Sequence, residues 1–212
     1  DAPIGVFDRG VGGLSVLSAL QAELPDEHFV YFSDAAHAPY GERGDPFVVE
    51  RTLEIARQLI EEHGIKALVV ACNTATAAGI GLLRAAHPDL PIVGVEPALK
   101  PAAAATRTGH VGGLATRGTL ASSKFKALHD GLKTGRVRFS LVPCDGLAGA
   151  IERLDNEAIQ SLAAQYTGAI GRFGHAPGDI DTLVLGCTHY PFIAAELQRL
   201  AGAEVRLIET GQ

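Results

Sequence analysis

Residues 67–76, ALVVACNTAT, and residues 182–191, TLVLGCTHYP, follow one plan: an apolar run, a small residue, a cysteine, then polar residues of the kind that open a helix. Short aliphatic runs of this sort, bounded by capping residues, mark strands buried on both faces of a sheet. Further runs of the same character are Pro3–Phe7, His28–Phe32, Pro91–Val95, Val137–Val142 and Glu204–Ile208, with a weaker, glycine-rich one at His110–Ala115. Helical periodicity fills the gaps at Pro46–His63, Ala75–Ala86, Thr119–His129, Ala158–Ile170 and Phe192–Leu200. Strand and helix in alternation predict α/β architecture, with parallel strands and crossover helices on both faces. Ligands of such sheets bind beyond the carboxyl ends of the strands, so the residues just after each strand matter most.

The echo extends further. IGVFDRGVGGLSVL (4–17) and VGGLATRGTLASSKF (111–125) also rhyme. Two similar α/β domains follow, each with a mainly parallel central sheet flanked by helices, and each offering one cysteine to a site between them.

Composition narrows the function. With 212 residues, of which 47% are hydrophobic, the chain can bury a good core. No apolar run reaches membrane-span length and no basic, apolar leader opens the chain, so a soluble, cytoplasmic protein is expected. A net charge of −6 argues against direct nucleic-acid binding. Three widely spaced cysteines form no disulfide framework and stay free thiols in a reducing compartment. The opening on Asp1 and the lack of Met, where average usage gives roughly four, set the expectation that these residues need not be the whole translated protein.

Cys72 and Cys187 are the candidate reactive groups. A thiol at a helix N-terminus has its thiolate stabilised by exposed N–H groups and the helix dipole. Asn73-Thr74 is suited to capping the helix after Cys72. Cys187 is followed by Thr188 and His189, the latter a proton partner. Burial as an inert core residue is the alternative for either thiol. Cys144, in VPCDG without an echo, reads as structural. A zinc site from Cys72, Cys144, Cys187 and His189 lacks any C-x₂-C or H-x₃-H spacing. A cysteine hydrolase built on Cys187 leaves Cys72 unexplained. The glycine run Gly10, Gly12, Gly13 indicates a tight turn or a close backbone approach to a ligand, and it is not a dinucleotide fingerprint because Ser15 stands at the sixth position. Asp8 is an acid–base or orienting group or a turn aspartate, and Tyr40-Gly41 in HAPYGERG belongs to a loop that overhangs the sheet edge or to an ordinary turn.

FDRGVGGLSVL, DAAHAPYG, ACNTAT, GVEPALKPA, LATRGTL, GCTHYP and LIETG occur in order over nearly the whole chain. Together they resemble the glutamate racemases of the aspartate/glutamate racemase family. The resemblance implies interconversion of L- and D-glutamate, supplying D-glutamate for peptidoglycan, with no cofactor (no pyridoxal phosphate) and no metal. It implies a first domain of residues 1–95 plus 206–212 and a second of 96–205. It assigns Cys72, assisted by Asp8, to the proton of D-glutamate, and Cys187, assisted by His189 with Glu152, to that of L-glutamate. Asn73, Thr74, Thr119 and Thr188, with Pro39, Tyr40 and Gly41, match substrate-holding positions. Family members often form dimers, and some bind DNA gyrase. Aspartate or broad-specificity racemisation, and a binding protein on a racemase scaffold, are the competing readings.

The chain departs from the family pattern in places. Arg9 stands where Asp-Ser-Gly is usual, so its guanidinium pairs with Asp8, occupies substrate space or swings into solvent. Gly113 replaces a branched residue and weakens its strand, Asp145 replaces a proline, and a final helix is implied after LIETGQ.

Overall fold

The computed structural model describes residues 2–132 and 136–211. Among the described residues, eight strands form two four-stranded, all-parallel sheets of the same winding. The first runs β2 (Phe29–Ser33), β1 (Ile4–Asp8), β3 (Ala67–Val70), β4 (Ile92–Gly94). The second runs β6 (Arg138–Pro143), β5 (His110–Ala115), β7 (Thr182–Gly186), β8 (Arg206–Glu209). β1 matches β5 and β3 matches β7, so the sequence echo is a repeat of position in the sheet. Every residue of β1, β5 and β7 is buried, as strands covered on both faces must be.

Nine α-helices cover these sheets among the described residues: α1 (Leu14–Glu23), α2 (Asp45–His63), α3 (Asn73–Ala86), α4 (Leu99–Ala105), α5 (Arg117–Ala121), α6 (Ser123–Leu132), α7 (Leu147–Glu152), α8 (Asn156–Ile170) and α9 (Ala194–Ala201). α2 carries Pro46 in its first turn and ends at Gly64, and its Val48, Ile55 and Leu59 face pack on Leu68 and Val70. The continuous helix expected over Thr119–His129 is two helices. Their break falls at Ser122, whose Oγ accepts from the Phe125 N–H and restarts the chain as α6. Helices α1, α4 and α7 were not foreseen. α4 contains Pro101, α7 is six residues long with a glycine, and α1 buries little more than Val16.

One expected boundary is corrected. Residues 206–212 were assigned to the first domain, yet Arg206–Glu209 pairs with Thr182–Leu185 as the outer strand of the second sheet. The ladder beside β7 was open to a parallel partner, and the apolar Leu207 and Ile208 bury against its two sides. The chain turns back to the first half only at Gly211, which lies against Val16. The end residues Asp1 and Gln212 of the expected first domain lie outside the described residues. Gly113 does not interrupt β5, because the Leu141 side chain fills the space that a branched residue would need. Among the described residues no helix is long and apolar enough to cross a membrane.

Candidate active site

Cys72 and Cys187 each follow the strand beside the first strand of their sheet, at the carboxyl edge. Both are buried free thiols, as is Cys144. The helix cap proposed for Asn73-Thr74 is Cys72 itself, whose Sγ accepts from the Ala75 N–H at 3.5 Å. Asn73 is thereby released from capping, and its buried amide has no hydrogen-bond partner among the described residues.

The two thiols have unlike surroundings. Burial pushes Cys72 well up, and the neighbouring Asp8 carboxylate adds to the shift. Asp8 is fully buried and is itself raised by burial; its Oδ2 accepts from the Gly13 N–H at 2.9 Å, while Oδ1 has no partner. Burial also acts against the Cys187 thiolate, but His189 and the Arg9 charge outweigh it and hold the thiol below its ordinary range. His189 Nδ1 lies 4.0 Å from Cys187 Sγ, and Nε2 donates to Glu152 Oε2 at 2.6 Å. Although burial disfavours the imidazolium, the contacts with Cys187 and Glu152 raise His189 to about 9. At neutral pH the geometry favours a Cys187 thiolate with a His189 imidazolium, and a Cys72 that keeps its proton.

Glu152, at the end of α7, is anchored by the Val11 N–H at 3.0 and 3.2 Å and is lowered by His189 despite partial burial. Two glycines of the run leave room for this contact. A Cβ on Gly10 would meet Glu152 Oε2 at 2.1 Å, and one on Gly12 would meet His189 Nδ1 at 2.1 Å. The close approach expected at these glycines is, for Gly10 and Gly12, to side chains of the second half.

Arg9 is 1% exposed, so it does not swing into solvent. Its Nη2 lies 3.5 Å from His189 Nδ1, its Nη1 has no partner among the described residues, and the Cys187 and Asp8 charges keep it protonated against the effect of burial.

The rim of the site joins the halves. Thr74 Oγ1 lies 2.9 Å from Thr116 Oγ1 and 3.4 Å from Thr119 Oγ1. Gly41 packs against Thr116, and the Glu42 carboxylate accepts from the Gly146 N–H at 2.9 Å. Pro39 follows a cis peptide bond. Tyr40 is fully buried with its hydroxyl donating to Asp34 Oδ2 at 2.5 Å, so its ring and the adjacent backbone are what it offers to the site. Thr188 is buried beside Gly12, and its carbonyl accepts from the Ser15 hydroxyl. Cys144 lies to one side: its thiol donates to the Val142 carbonyl, and burial pushes it up to about 12. Two cavities flank the cluster, one lined by Arg9, Pro39, Gly41 and Thr116, the other by Asn73, Thr76 and Thr119. Each holds about 10 Å³, room for one water molecule.

Sequence reading missed three contributors. Asp34 directly follows β2 and takes two hydrogen bonds from Arg51 (2.8 and 2.9 Å), besides those from Tyr40 and His37. Thr116, directly after β5, bridges Thr74 and Thr119. The available signal for Asp34 and Thr116 was position, since both stand one residue past a strand. Arg51 carries no local mark.

Comparison with known proteins agrees with this arrangement. The sequence profile of the Asp/Glu/Hydantoin racemase family matches residues 14–212. The glutamate racemase of Stutzerimonas stutzeri (strain A1501) is 51% identical over 210 residues, which is 99% of this chain and 78% of that protein. Among solved structures, Escherichia coli glutamate racemase, in complex with L-glutamate and the activator UDP-MurNAc-ala, superposes with a TM-score of 0.84 at 34% identity. That match covers 99% of this chain and 78% of the other. Glutamate racemase from Francisella tularensis in complex with D-glutamate gives 0.78 at 29% identity, covering 98% and 75%.

Proposed function

Because the chain belongs to the Asp/Glu/Hydantoin racemase family, we propose that it racemises glutamate by proton transfer between Cys187, Cys72 and the substrate's Cα. The observation that carries the reading is the pair of buried thiols at matched strand ends with opposite surroundings.

Inverting Cα requires a base on one face and an acid on the other, because a single group would return the proton to the side it came from. With L-glutamate between the sulfurs, the Cys187 thiolate takes the α-proton. The C–H electron pair passes into the α-carboxylate, and the Cys72 thiol delivers its own proton to the opposite face. The product is D-glutamate, with the proton now on Cys187 and the charge on Cys72. His189, held by Glu152, keeps Cys187 ionised for the first step. Asp8 serves Cys72 in the reverse direction, since a carboxyl raised by burial can take up a proton when Cys72 becomes the thiolate. Asn73, Thr74, Thr119, Thr188 and the Pro39–Gly41 loop line the place where carboxylates and ammonium must be held. D-glutamate is the form that cell-wall synthesis consumes, and residues 2–95 and 96–211 act as the two domains that part to admit substrate.

The test is exchange of the α-hydrogen in D₂O, followed by NMR. Wild type exchanges both enantiomers. Cys72→Ser exchanges only L-glutamate and Cys187→Ser only D-glutamate, and neither racemises. Wild-type protein that exchanges neither enantiomer at any glutamate concentration refutes the reading.

A further inference from the structure

Arg9 and Arg117 occupy matching places. Each lies two residues past the last buried apolar residue of its sheet's first strand, in Phe7-Asp8-Arg9-Gly10 and Ala115-Thr116-Arg117-Gly118. Arg117 takes the course expected of a long cation: 61% of its side chain is exposed, and it pairs with Asp145 at the surface. Arg9 turns inward and is 1% exposed.

Inside, its hydrogen bonding is incomplete. Nη1 has no partner among the described residues, and Nη2 lies 3.5 Å from Nδ1 of His189. When His189 is an imidazolium, Nδ1 is a donor, and that approach sets two cations face to face. The negative charges of Cys187, Asp8 and Glu152 oppose the repulsion. A guanidinium presents five donors in a fork matched to a carboxylate. Nothing among the described residues offers this fork a carboxylate in a two-bond grip. Oδ2 of Asp8 is engaged with Gly13, and Glu152 with Val11 and His189.

We propose that Arg9 is the electrophile of the reaction: when substrate enters, its guanidinium leaves the Cys187–His189 pair and grips the substrate's α-carboxylate. The assignment to the α-carboxylate follows from place. The charge of Arg9 acts on both thiols, and the reacting Cα must lie between those sulfurs, so the nearest anionic group of the substrate is the one on Cα. As Cys187 removes the α-proton, the electron pair of the broken C–H bond moves into that carboxylate. Its growing charge then strengthens the grip in the transition state over that in the ground state. The inference rests on the glutamate racemase reading above.

The experiment compares racemisation by wild type, Arg9→Lys, Arg9→Gln, Arg9→Ser and Arg117→Ser, with thermal unfolding followed by circular dichroism to confirm folding. Arg9→Gln and Arg9→Ser are expected to lower kcat by roughly 100-fold or more, the scale seen on removing a transition-state donor. KM should change far less. Arg9→Lys, which keeps the charge and loses the fork, falls between, and Arg117→Ser matches wild type. Three results overturn the proposal while leaving the racemase reading intact. They are a loss confined to KM, an Arg9→Ser enzyme as fast as wild type, and an inert wild type that Arg9→Ser activates. The last would make Arg9 a plug in the substrate's place. If wild type and every variant fail to exchange the α-hydrogen of glutamate, the function itself is refuted and the proposal falls with it.

Discussion

Glu152→Gln isolates the charge behind His189. The amide can still accept from His189 Nε2, now 2.6 Å from the carboxylate, and from the Val11 N–H, so the geometry is kept and only the negative charge is lost. Hydrogen bonds to charged groups contribute about 1 to 1.5 kcal/mol more than neutral ones, and Glu152 is only 17% exposed, so little is lost to solvent screening and the figure stays near the upper end. A loss of about 1.4 kcal/mol equals one pKa unit, so His189 should fall from about 9 to about 8. The sign of the stability effect follows. A histidine whose folded pKa exceeds 6.5 stabilises the fold fully below pH 6.5, and the benefit is lost as the pH climbs through the folded value. Wild type should therefore exceed the variant by about 1.4 kcal/mol at pH 6, with the gap closing above pH 9. NMR titration of the imidazole signals, with His189 assigned from His189→Gln, reads the first quantity. Urea unfolding at pH 6 and pH 10 reads the second. Turnover should suffer too, since a less basic His189 leaves less Cys187 thiolate. The same energy predicts a roughly tenfold drop in kcat/KM. The drop must be equal for L- and D-glutamate, because mirror-image molecules have the same energy in water. An unchanged His189 pKa, or a stability gap that ignores pH, would refute the proton arrangement argued for Cys187.

Two further perturbations test how the site is held. Asp34→Ala strips Arg51, Tyr40 and His37 of their common acceptor and leaves a guanidinium without its carboxylate; urea unfolding should show a loss of about 3 kcal/mol, and KM for glutamate should rise because the Tyr40–Gly41 loop is no longer braced. Gly12→Ala places a methyl group 2.1 Å from His189 Nδ1, and overpacking of that kind costs about 1–3 kcal/mol; racemisation should fall far more than stability, and loss of both in step would show the glycine to be structural only.

What could be read from the sequence was whatever depends on neighbours in the chain. A strand followed by Cys72 or Cys187 is local, and so is the alternation that gives parallel sheets. Helices whose apolar face is narrow or interrupted, such as α1 and α4, left no comparable trace. Contacts across the halves were readable only in part: Glu152 was placed with His189 by resemblance, whereas Thr116 with Thr74 had no such guide. The Asp34–Arg51 pair shows why. Its members are 17 residues apart, and Arg51 is one of several charges along a helix with nothing local to single it out. The side of the sheet taken by Arg206–Glu209 was misjudged because apolar alternation gives a strand its faces but not its partner. Arg9 is the sharpest instance. Arg117 holds the matching place, after Thr116 where Arg9 follows Asp8, and goes outward; the charges that favour Arg9 inside include its neighbour Asp8 and the distant Cys187, and the latter left no local trace.

The repeated plan of the two sheets supplies two thiols in the same place, but two identical thiols would serve racemisation poorly. Proton transfer through Cα begins with one sulfur ionised and the other protonated, and if both environments were alike, states with two thiols or two thiolates would be populated as well. The differences between the halves remove that degeneracy. His189 follows Cys187 by two residues, where the first half has Thr74, and the first half instead places the Asp8 carboxylate by Cys72. A cation beside one thiol and an anion beside the other bias the resting enzyme towards L-glutamate. Turnover reverses that charge pattern, so the product state is the less stable one unless protons follow. His189, raised to about 9, can give its proton away, and Asp8, raised by burial and with one oxygen unpartnered, can hold one. These two groups lie 3.9 Å apart, from His189 Nδ1 to Asp8 Oδ2. A proton passed across that gap would reset the bias in step with the substrate's inversion, which gives the close packing of Gly12 between the halves a chemical reason.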